Sequence, residues 1–151
     1  MRGPLRLLAF SAILMFPLLS GCVLARSPVD QLVVTSPFGL RWSGILPRTH
    51  HGVDLRAPVG TQVRTMAAGQ VRFAGWMNGY GNVIWIDHRG HLLTAYAHLS
   101  EILVSPGATV TSGQVVGLSG NTGTSTAPHL HFEVWQNGRP VDPIGFLGLR
   151  P

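Results

Sequence analysis

The sequence contains no lysine: all 11 of its basic residues are arginines, and only 11% of its 151 residues are charged. In ordinary soluble domains about a quarter of the residues are charged. The arginines are scattered singly, without the basic clusters and interleaved aromatic residues of a nucleic-acid interface. These absences exclude nucleic acid as a partner, and they exclude any function that requires a lysine to be acylated.

Cysteine is almost absent as well, because Cys22 is the only one and has no partner for an intramolecular disulfide. In the residues before it, Arg2 and Arg6 precede an apolar segment at residues 7–19. This layout is typical of a secretory signal peptide. The apolar segment is shorter than the roughly 20 residues that a membrane-spanning helix needs. We therefore predict that residues 1–21 are a signal peptide and that the protein is exported.

Residues 19–22 resemble the lipobox of bacterial lipoproteins, in which the cysteine is acylated and becomes the first residue after cleavage. The resemblance implies that Cys22 is lipidated and anchors the protein in a membrane. Val23 stands where an aspartate would resemble an inner-membrane retention signal, so we expect the periplasmic face of the outer membrane. Conventional cleavage after Ala25 is the alternative.

The chain is predicted to have one folded domain. Residues 22–30 are interpreted as the lipidated cysteine and a short tether, and residues 31–151 as a domain long enough for one core. Short β-type segments separated by turn residues, without a sustained helical period, predict an all-β fold, an antiparallel sheet or sandwich. A helical turn is expected only at residues 99–104. The predicted strands span residues 32–35, 62–66, 70–74, 82–87, 92–98, 114–118 and 129–135.

Four of the seven histidines lie in patterns that indicate a site. His50 and Asp54 are separated by Gly52, and a flexible backbone at that glycine would let both side chains reach one cation. His129 and His131 alternate with apolar residues, so a strand places both imidazoles on one face. Two imidazoles opposite an apolar face favour a functional site over packing.

Tyr96 and His98 are likewise predicted to share one face of a strand. With His98, the sequence offers five candidate ligands, whereas a catalytic zinc ion takes three protein ligands and keeps a position for water. Two histidines would then be free for proton transfer and charge stabilisation. Two histidines and one carboxylate are also the facial triad of non-haem iron oxygenases, an alternative that the spare histidines and the predicted export disfavour.

Five short motifs extend this pattern, in order, across residues 32–143. They are Ser-Pro-Phe-Gly-Leu-Arg at 36–41, His-x-Gly-x-Asp at 50–54, Ala-Pro-x-Gly-Thr at 57–61, Tyr-Ala-His-Leu at 96–99 and Pro-His-Leu-His-Phe-Glu at 128–133. Together they resemble the lysostaphin-type, or LytM-domain, metallopeptidases. The resemblance implies a β fold and a zinc-dependent endopeptidase that hydrolyses peptide cross-links of bacterial peptidoglycan. Its partners would be peptidoglycan peptide stems, and we expect a monomer.

The resemblance also implies a role for each residue. Zinc would be bound by His50, Asp54 and His131, and His98 and His129 would be the unligated catalytic pair. Zinc would polarise the scissile carbonyl and lower the pKa of its bound water, while the two free histidines handle the proton and the oxyanion. The cleaved bond would be either the D-alanyl to diaminopimelyl cross-link or a glycyl bridge.

Other residues receive simpler interpretations. Ala127 replaces a glycine that many relatives have, but it lies outside the ligand set. His51, His88 and His91 are interpreted as structural or solvated, and Glu133 as an ordinary strand carboxylate rather than a support for a ligand. A non-catalytic regulator of other cell-wall hydrolases is the alternative function, although such proteins lack ligands that are all present here. A biotinyl or lipoyl carrier would need the lysine that the sequence lacks.

Overall fold

The computed structural model describes residues 25–43 and 45–148, which form mainly antiparallel β-strands and one short helix. The predicted all-β fold is therefore confirmed. The predicted signal peptide and Cys22 lie outside the described residues. Within the described part, no helix is long and apolar enough to cross a membrane. The elements are β1 Val34–Ser36, β2 Gly39–Ser43, β3 Leu46–His50, β4 Val53–Arg56, β5 Gln62–Arg64, β6 Gly69–Met77, β7 Gly81–His88, β8 Leu92–Ile102, β9 Thr109–Val110, β10 Val115–Ser119, β11 His129–Gln136, β12 Arg139–Val141 and α1 Pro143–Leu147.

Most strands belong to one large sheet, in the order β1-β4-β11-β8-β7-β6-β9. Strand β10 pairs with β5 and β8, and β12 pairs with β11. Strands β2 and β3 pair with each other in a separate hairpin, and no other strand of the described residues joins them. The two strands that contain the predicted catalytic histidines, β8 and β11, are therefore neighbours at the centre of the sheet.

The core lies against one face of this sheet. On β11, the alternation places Leu130, Phe132 and Val134 in the core with 0% exposure. The ring of Tyr96, from β8, packs with its centroid 5.3 Å from that of Phe132. Its hydroxyl accepts a hydrogen bond from the backbone nitrogen of Met66 at 2.9 Å. Because the apolar side chains of β11 fill the core, its histidines occupy the opposite face.

The end of β8 and the hairpin β2–β3 differ from the sequence-based predictions. The helical turn predicted at residues 99–104 is wrong, because β8 continues to Ile102, which pairs with Gly117 of β10. The hairpin β2–β3 was not predicted, and its side chains show why. Leu40, Trp42 and Leu46 are 71%, 73% and 67% exposed, so no alternation between a buried and a solvated face marks these strands.

The segment before β1 packs on the domain. Val29 is 2% exposed and belongs to the core. The backbone nitrogen of Arg26 donates to the carbonyl of Met66 at 2.9 Å, and the backbone nitrogen of Arg64 donates to the carbonyl of Pro28 at 2.9 Å. The predicted tether at residues 22–30 is therefore not free in its described part, because burial of Val29 and these hydrogen bonds hold it to the domain.

Candidate metal centre

Three of the residues singled out in the sequence meet where β3, β4 and β11 adjoin. His50 is the last residue of β3, and Asp54 is the second residue of β4. His131 lies in β11, directly opposite Asp54 in the antiparallel register. The backbone pairing thus joins His131 to residues that are 77 and 81 positions away in the sequence.

The facing atoms of these side chains form a triangle. His50 Nε2 lies 3.1 Å from Asp54 Oδ1 and 3.0 Å from His131 Nδ1. His131 Nδ1 lies 2.9 Å from Asp54 Oδ1. Ligand atoms around a tetrahedral zinc ion are about 3.3–3.6 Å apart. The triangle, which we call the ligand triangle, therefore has nearly the spacing of a metal site.

The remaining nitrogen of each imidazole donates to an acceptor outside the triangle. His50 Nδ1 donates to the carbonyl of Pro37 at 2.7 Å, and His131 Nε2 donates to Glu133 Oε1 at 2.9 Å. Without a proton between them, His50 Nε2, His131 Nδ1 and the Asp54 oxygen would direct lone pairs at one another, so a cation or a proton is needed to relieve their repulsion. Burial would lower the pKa of His131, but hydrogen bonds to Asp54 and Glu133 raise it to about 9. Two nitrogens and one carboxylate oxygen are a donor set that fits catalytic zinc.

Asp54 remains a carboxylate in this environment. Burial alone would raise its pKa, but hydrogen bonds and charges of His131 and His50 outweigh burial and hold the pKa well below its ordinary range. Its second oxygen, Oδ2, accepts a hydrogen bond from Arg41 Nη1 at 3.2 Å. The same nitrogen donates to Ser36 Oγ at 2.8 Å. Arg41 thus occupies one oxygen of Asp54 and leaves the other in the ligand triangle.

Gly52 lies between the first two ligand candidates, at a point where the backbone comes very close to β11. A β-carbon at this position would overlap the carbonyl of Phe132 and lie 2.8 Å from Glu133 Cγ. Its φ is not in the left-handed region, in contrast to that of Gly60 at +87°. The flexibility expected from the sequence is therefore not what requires glycine here. The absent side chain lets the β3–β4 connection lie directly on β11.

His98 and His129 lie beside the ligand triangle, with ring centroids 4.7 Å apart. His98 Nδ1 donates to the carbonyl of Thr122 at 2.7 Å, and His129 Nδ1 donates to the carbonyl of Ala127 at 2.8 Å. The Nε2 atom of each imidazole is left with a lone pair that can accept a proton. His129 Nε2 lies 3.6 Å from Asp54 Oδ1, next to the triangle but farther away than its members.

The prediction that Tyr96 and His98 share a strand face is wrong. Tyr96 is in the core, whereas His98 faces the site. The register of β8 against β7 shifts between Asn82 and Ile84, and His98 has a left-handed φ of 61°. Such a bulge adds one residue to the strand and reverses the alternation beyond it. The backbone nitrogen of His98 donates to the carbonyl of Tyr80 at 2.9 Å, which helps to hold this strained conformation.

All five predicted site residues line one open cleft of about 370 Å³. His51 also lines the cleft, and its ring centroid is 5.7 Å from that of Trp135. His88 is held outside it by the carbonyl of Ala68 at 2.9 Å and the hydroxyl of Thr94 at 2.8 Å. His88 is thus structural, as its sequence position indicates.

Glu133 differs from its interpretation as an ordinary strand carboxylate. It is 1% exposed and accepts a hydrogen bond from His131. The sequence could have indicated this contact, because Glu133 and His131 are two residues apart on a strand and therefore share a face. Tyr80, which donates to Glu133 at 3.0 Å from the turn after β6, had no local signal. The contact of Arg41 with Asp54 could not be read from local sequence either.

An antiparallel β-sheet that brings two histidines and an aspartate to ligand spacing, with two more imidazoles beside them, fits the class of metal-dependent enzymes. Residues 48–143 match the model of peptidase family M23, and the chain belongs to this family. The family match and the geometry of the cleft thus agree on a metallopeptidase site.

Two curated relatives and one crystal structure illustrate the similarity. The chain is 47% identical over 119 residues to the DD-carboxypeptidase/endopeptidase Mpg of Neisseria meningitidis serogroup B, covering 78% of this chain and 27% of that protein. It is 46% identical over 95 residues to the peptidoglycan DD-endopeptidase ShyA of Vibrio cholerae, covering 63% of this chain and 22% of that protein. A zinc-containing peptidase from Vibrio cholerae matches with a TM-score of 0.75 and 38% identity, covering 80% of this chain and 39% of that one. The chain spans about a quarter of the length of these curated relatives.

Proposed function

We propose that this chain is a zinc-dependent endopeptidase that hydrolyses peptide cross-links of bacterial peptidoglycan. The observation that supports this most directly is the ligand triangle beside two imidazoles whose Nε2 atoms are free. A zinc ion with three protein ligands keeps a position for water, as catalytic sites require. The names of the relatives, which include a peptidoglycan DD-endopeptidase, indicate the substrate class.

In this proposal zinc is bound by His50 Nε2, Asp54 Oδ1 and His131 Nδ1. Zinc would polarise the scissile carbonyl and would lower the pKa of a bound water to near neutrality. The protein fixes the ligands through their outer hydrogen bonds: Pro37 holds the imidazole of His50, and Arg41 holds the carboxylate of Asp54. These contacts orient the donor atoms before any metal arrives.

His98 and His129 move the proton and stabilise the oxyanion in this mechanism. Burial lowers the pKa of His98 from its ordinary value, although the hydrogen bond to the carbonyl of Thr122 opposes this effect, and the lowered pKa favours the neutral imidazole. A neutral imidazole accepts a proton at Nε2 and can later donate it to the leaving amine. His129, whose Nε2 faces the carboxylate of Asp54, is placed to donate a hydrogen bond to developing negative charge when protonated.

We propose the D-alanyl to diaminopimelyl cross-link as the bond that is cleaved, since one relative described above is named a peptidoglycan DD-endopeptidase and the other a DD-carboxypeptidase/endopeptidase. The full chain, purified in detergent, is expected to cut a muropeptide dimer with this cross-link and to release new D-alanyl carboxyl and diaminopimelyl amino termini. Mass spectrometry identifies these termini. Chelation with 1,10-phenanthroline should stop cleavage, and added zinc should restore it.

A muropeptide dimer joined by a pentaglycine bridge is the matched control and should remain intact. Cleavage of the glycyl bridge alone would show that the proposed bond is wrong. If the zinc-loaded protein cuts neither dimer, the endopeptidase proposal fails and a non-catalytic regulator is indicated.

We further propose that Cys22 is lipidated and holds the domain at the periplasmic face of the outer membrane. Ala25 already packs against the core, so residues 23 and 24 alone separate the lipidated cysteine from the domain. An extended chain covers at most 3.3–3.6 Å per residue, which limits this connection to about 10 Å. A free tether over residues 22–30 would have allowed roughly 30 Å. The domain should therefore lie against the bilayer.

The variant Cys22→Ser is expected to move the protein from the membrane fraction to the soluble fraction, because it removes the thiol that is acylated. Immunoblotting of fractionated cells and incorporation of labelled palmitate measure the change. Val23→Ser is a matched control that keeps the thiol, and it should remain in the membrane fraction. Membrane association of Cys22→Ser equal to that of the unmodified sequence would contradict lipidation.

A further inference from the structure

A buried anion lies behind the ligand triangle. Among the described residues that are buried, Glu133 is the one carboxylate, with 1% exposure. No arginine of the described part forms an ion pair with it, and its ion-pair partner is His131. Burial of a carboxylate is costly unless the charge is compensated. An apolar side chain at this position would avoid the cost, so a packing role does not explain the glutamate.

Three donors fix the orientation of this carboxylate. Oε1 accepts hydrogen bonds from His131 Nε2 at 2.9 Å and from the Tyr80 hydroxyl at 3.0 Å. Oε2 accepts a hydrogen bond from Trp135 Nε1 at 2.6 Å. The ring of Tyr80 also contacts the imidazole of His131 edge to face, with centroids 5.9 Å apart. The carboxylate therefore cannot rotate away from His131 without breaking bonds to two aromatic side chains.

The backbone opposite this carboxylate also leaves room for it. A β-carbon at Gly52 would lie 2.8 Å from Glu133 Cγ, so the glycine lets Glu133 keep its place behind His131.

We propose that Glu133, held by Tyr80 and Trp135, is a positioning residue that fixes the tautomer and ring orientation of His131 for metal binding. With the ring proton kept on Nε2, the lone pair of Nδ1 faces the ligand triangle. The proposal rests on the proposed function only in that His131 is a metal ligand. It gives Glu133 no contact with the substrate.

Zinc affinity of the full chain in detergent tests this role directly, by competition with a chromophoric chelator of known affinity. Glu133→Gln is expected to raise the Kd for zinc about tenfold, and Glu133→Ala up to about 100-fold. Glutamine retains one oxygen that can accept from His131, so its effect should be the smaller one. The visible absorption of the cobalt-substituted protein should also change in Glu133→Ala, because that spectrum reports ligand geometry.

Two tyrosine variants separate positioning from general stability. Tyr80→Phe removes the hydroxyl bonded to Glu133, whereas Tyr96→Phe removes a buried hydroxyl on the core side of the sheet, bonded to Met66. We expect Tyr80→Phe to raise the Kd for zinc several-fold. Tyr96→Phe should lower the thermal midpoint of unfolding while leaving the Kd for zinc within twofold.

Unchanged zinc affinity and an unchanged cobalt spectrum in both Glu133 variants would overturn the positioning role. An equal loss of zinc affinity in Tyr80→Phe and Tyr96→Phe would also overturn it, because stability alone would then explain the effect. Failure of the proposed function looks different, since the unmodified protein would then bind no zinc, or His131→Ala would bind zinc as tightly as the unmodified protein.

Discussion

Alanine in place of His50, Asp54 or His131 is expected to remove bound zinc and peptidase activity together. Each side chain supplies one of three atoms that lie 2.9–3.1 Å apart, and two remaining ligands would not retain the ion. Loss of the metal removes its stabilisation of transition-state charge, so kcat/KM should fall by about 10³-fold or more. Metal content after dialysis, measured by inductively coupled plasma mass spectrometry, should fall close to zero.

The variants His98→Ala and His129→Ala should behave differently, because these imidazoles lie beside the ligand triangle. They are expected to retain stoichiometric zinc while kcat falls by about 10²–10⁴-fold, the usual contribution of a positioned acid or base. His91→Asn is the matched control, since His91 is exposed and does not line the cleft. It should keep both zinc and activity.

Two outcomes would contradict this division of roles. Near-stoichiometric zinc in His131→Ala would remove that residue from the ligand set. Full activity of His98→Ala would show that its free Nε2 takes no part in proton transfer.

Replacement of Gly52 by alanine should both destabilise the fold and displace the ligands of the metal centre. The added methyl group would overlap the carbonyl of Phe132, and a backbone atom in a central strand cannot move aside cheaply. Overpacking of this kind costs about 1–3 kcal/mol. Because relief requires β4 to move from β11, Asp54 and His131 would separate. We expect a lower free energy of unfolding in urea and a weaker affinity for zinc.

Gly145→Ala provides the matched control for this change. Gly145 lies in α1, and the nearest atom to an added β-carbon is Asp142 Oδ2 at 3.4 Å, an ordinary contact. Alanine favours a helix over glycine by up to about 1 kcal/mol, so this variant should be as stable as the parent or more so. Equal stability and zinc affinity in the two variants would disprove the close-approach argument for Gly52.

The sequence predicts those parts of the site that depend on strand alternation. His129 and His131 lie on the face opposite Leu130 and Phe132, as a period of two requires. The same rule fails at His98, because a bulge cannot be seen in the pattern of apolar residues. The left-handed φ of His98 is accompanied by hydrogen bonds to the carbonyls of Tyr80, in the turn before β7, and Thr122, after β10, which no local window contains.

Other features depend on tertiary contacts from the start. Val29 belongs to the core although its surroundings look like a linker, with Pro28 before it and Asp30 after it. Arg41 reaches Asp54 from a hairpin whose exposed side chains give no strand signal. The short helix α1 begins after a capping residue, Asp142, whose side chain accepts a hydrogen bond from the backbone nitrogen of Ile144 at 3.1 Å. An aspartate at this position is a sequence signal for a helix start, but a helix of five residues is too short to show a helical period.

The direct pairing of Asp54 with His131 has a consequence for how the site forms while the chain is synthesised. The two residues are separated by 77 positions, so the metal centre is assembled by one of the longest-range contacts in the domain. Contacts between residues so distant in sequence cannot form until the intervening chain has been made, and they form slowly. A nascent chain that does not yet include β11 lacks His131 together with Glu133 and Trp135, which lie on the same strand. The candidate metal centre is therefore completed late in synthesis, after β11 has been made and has paired with β4.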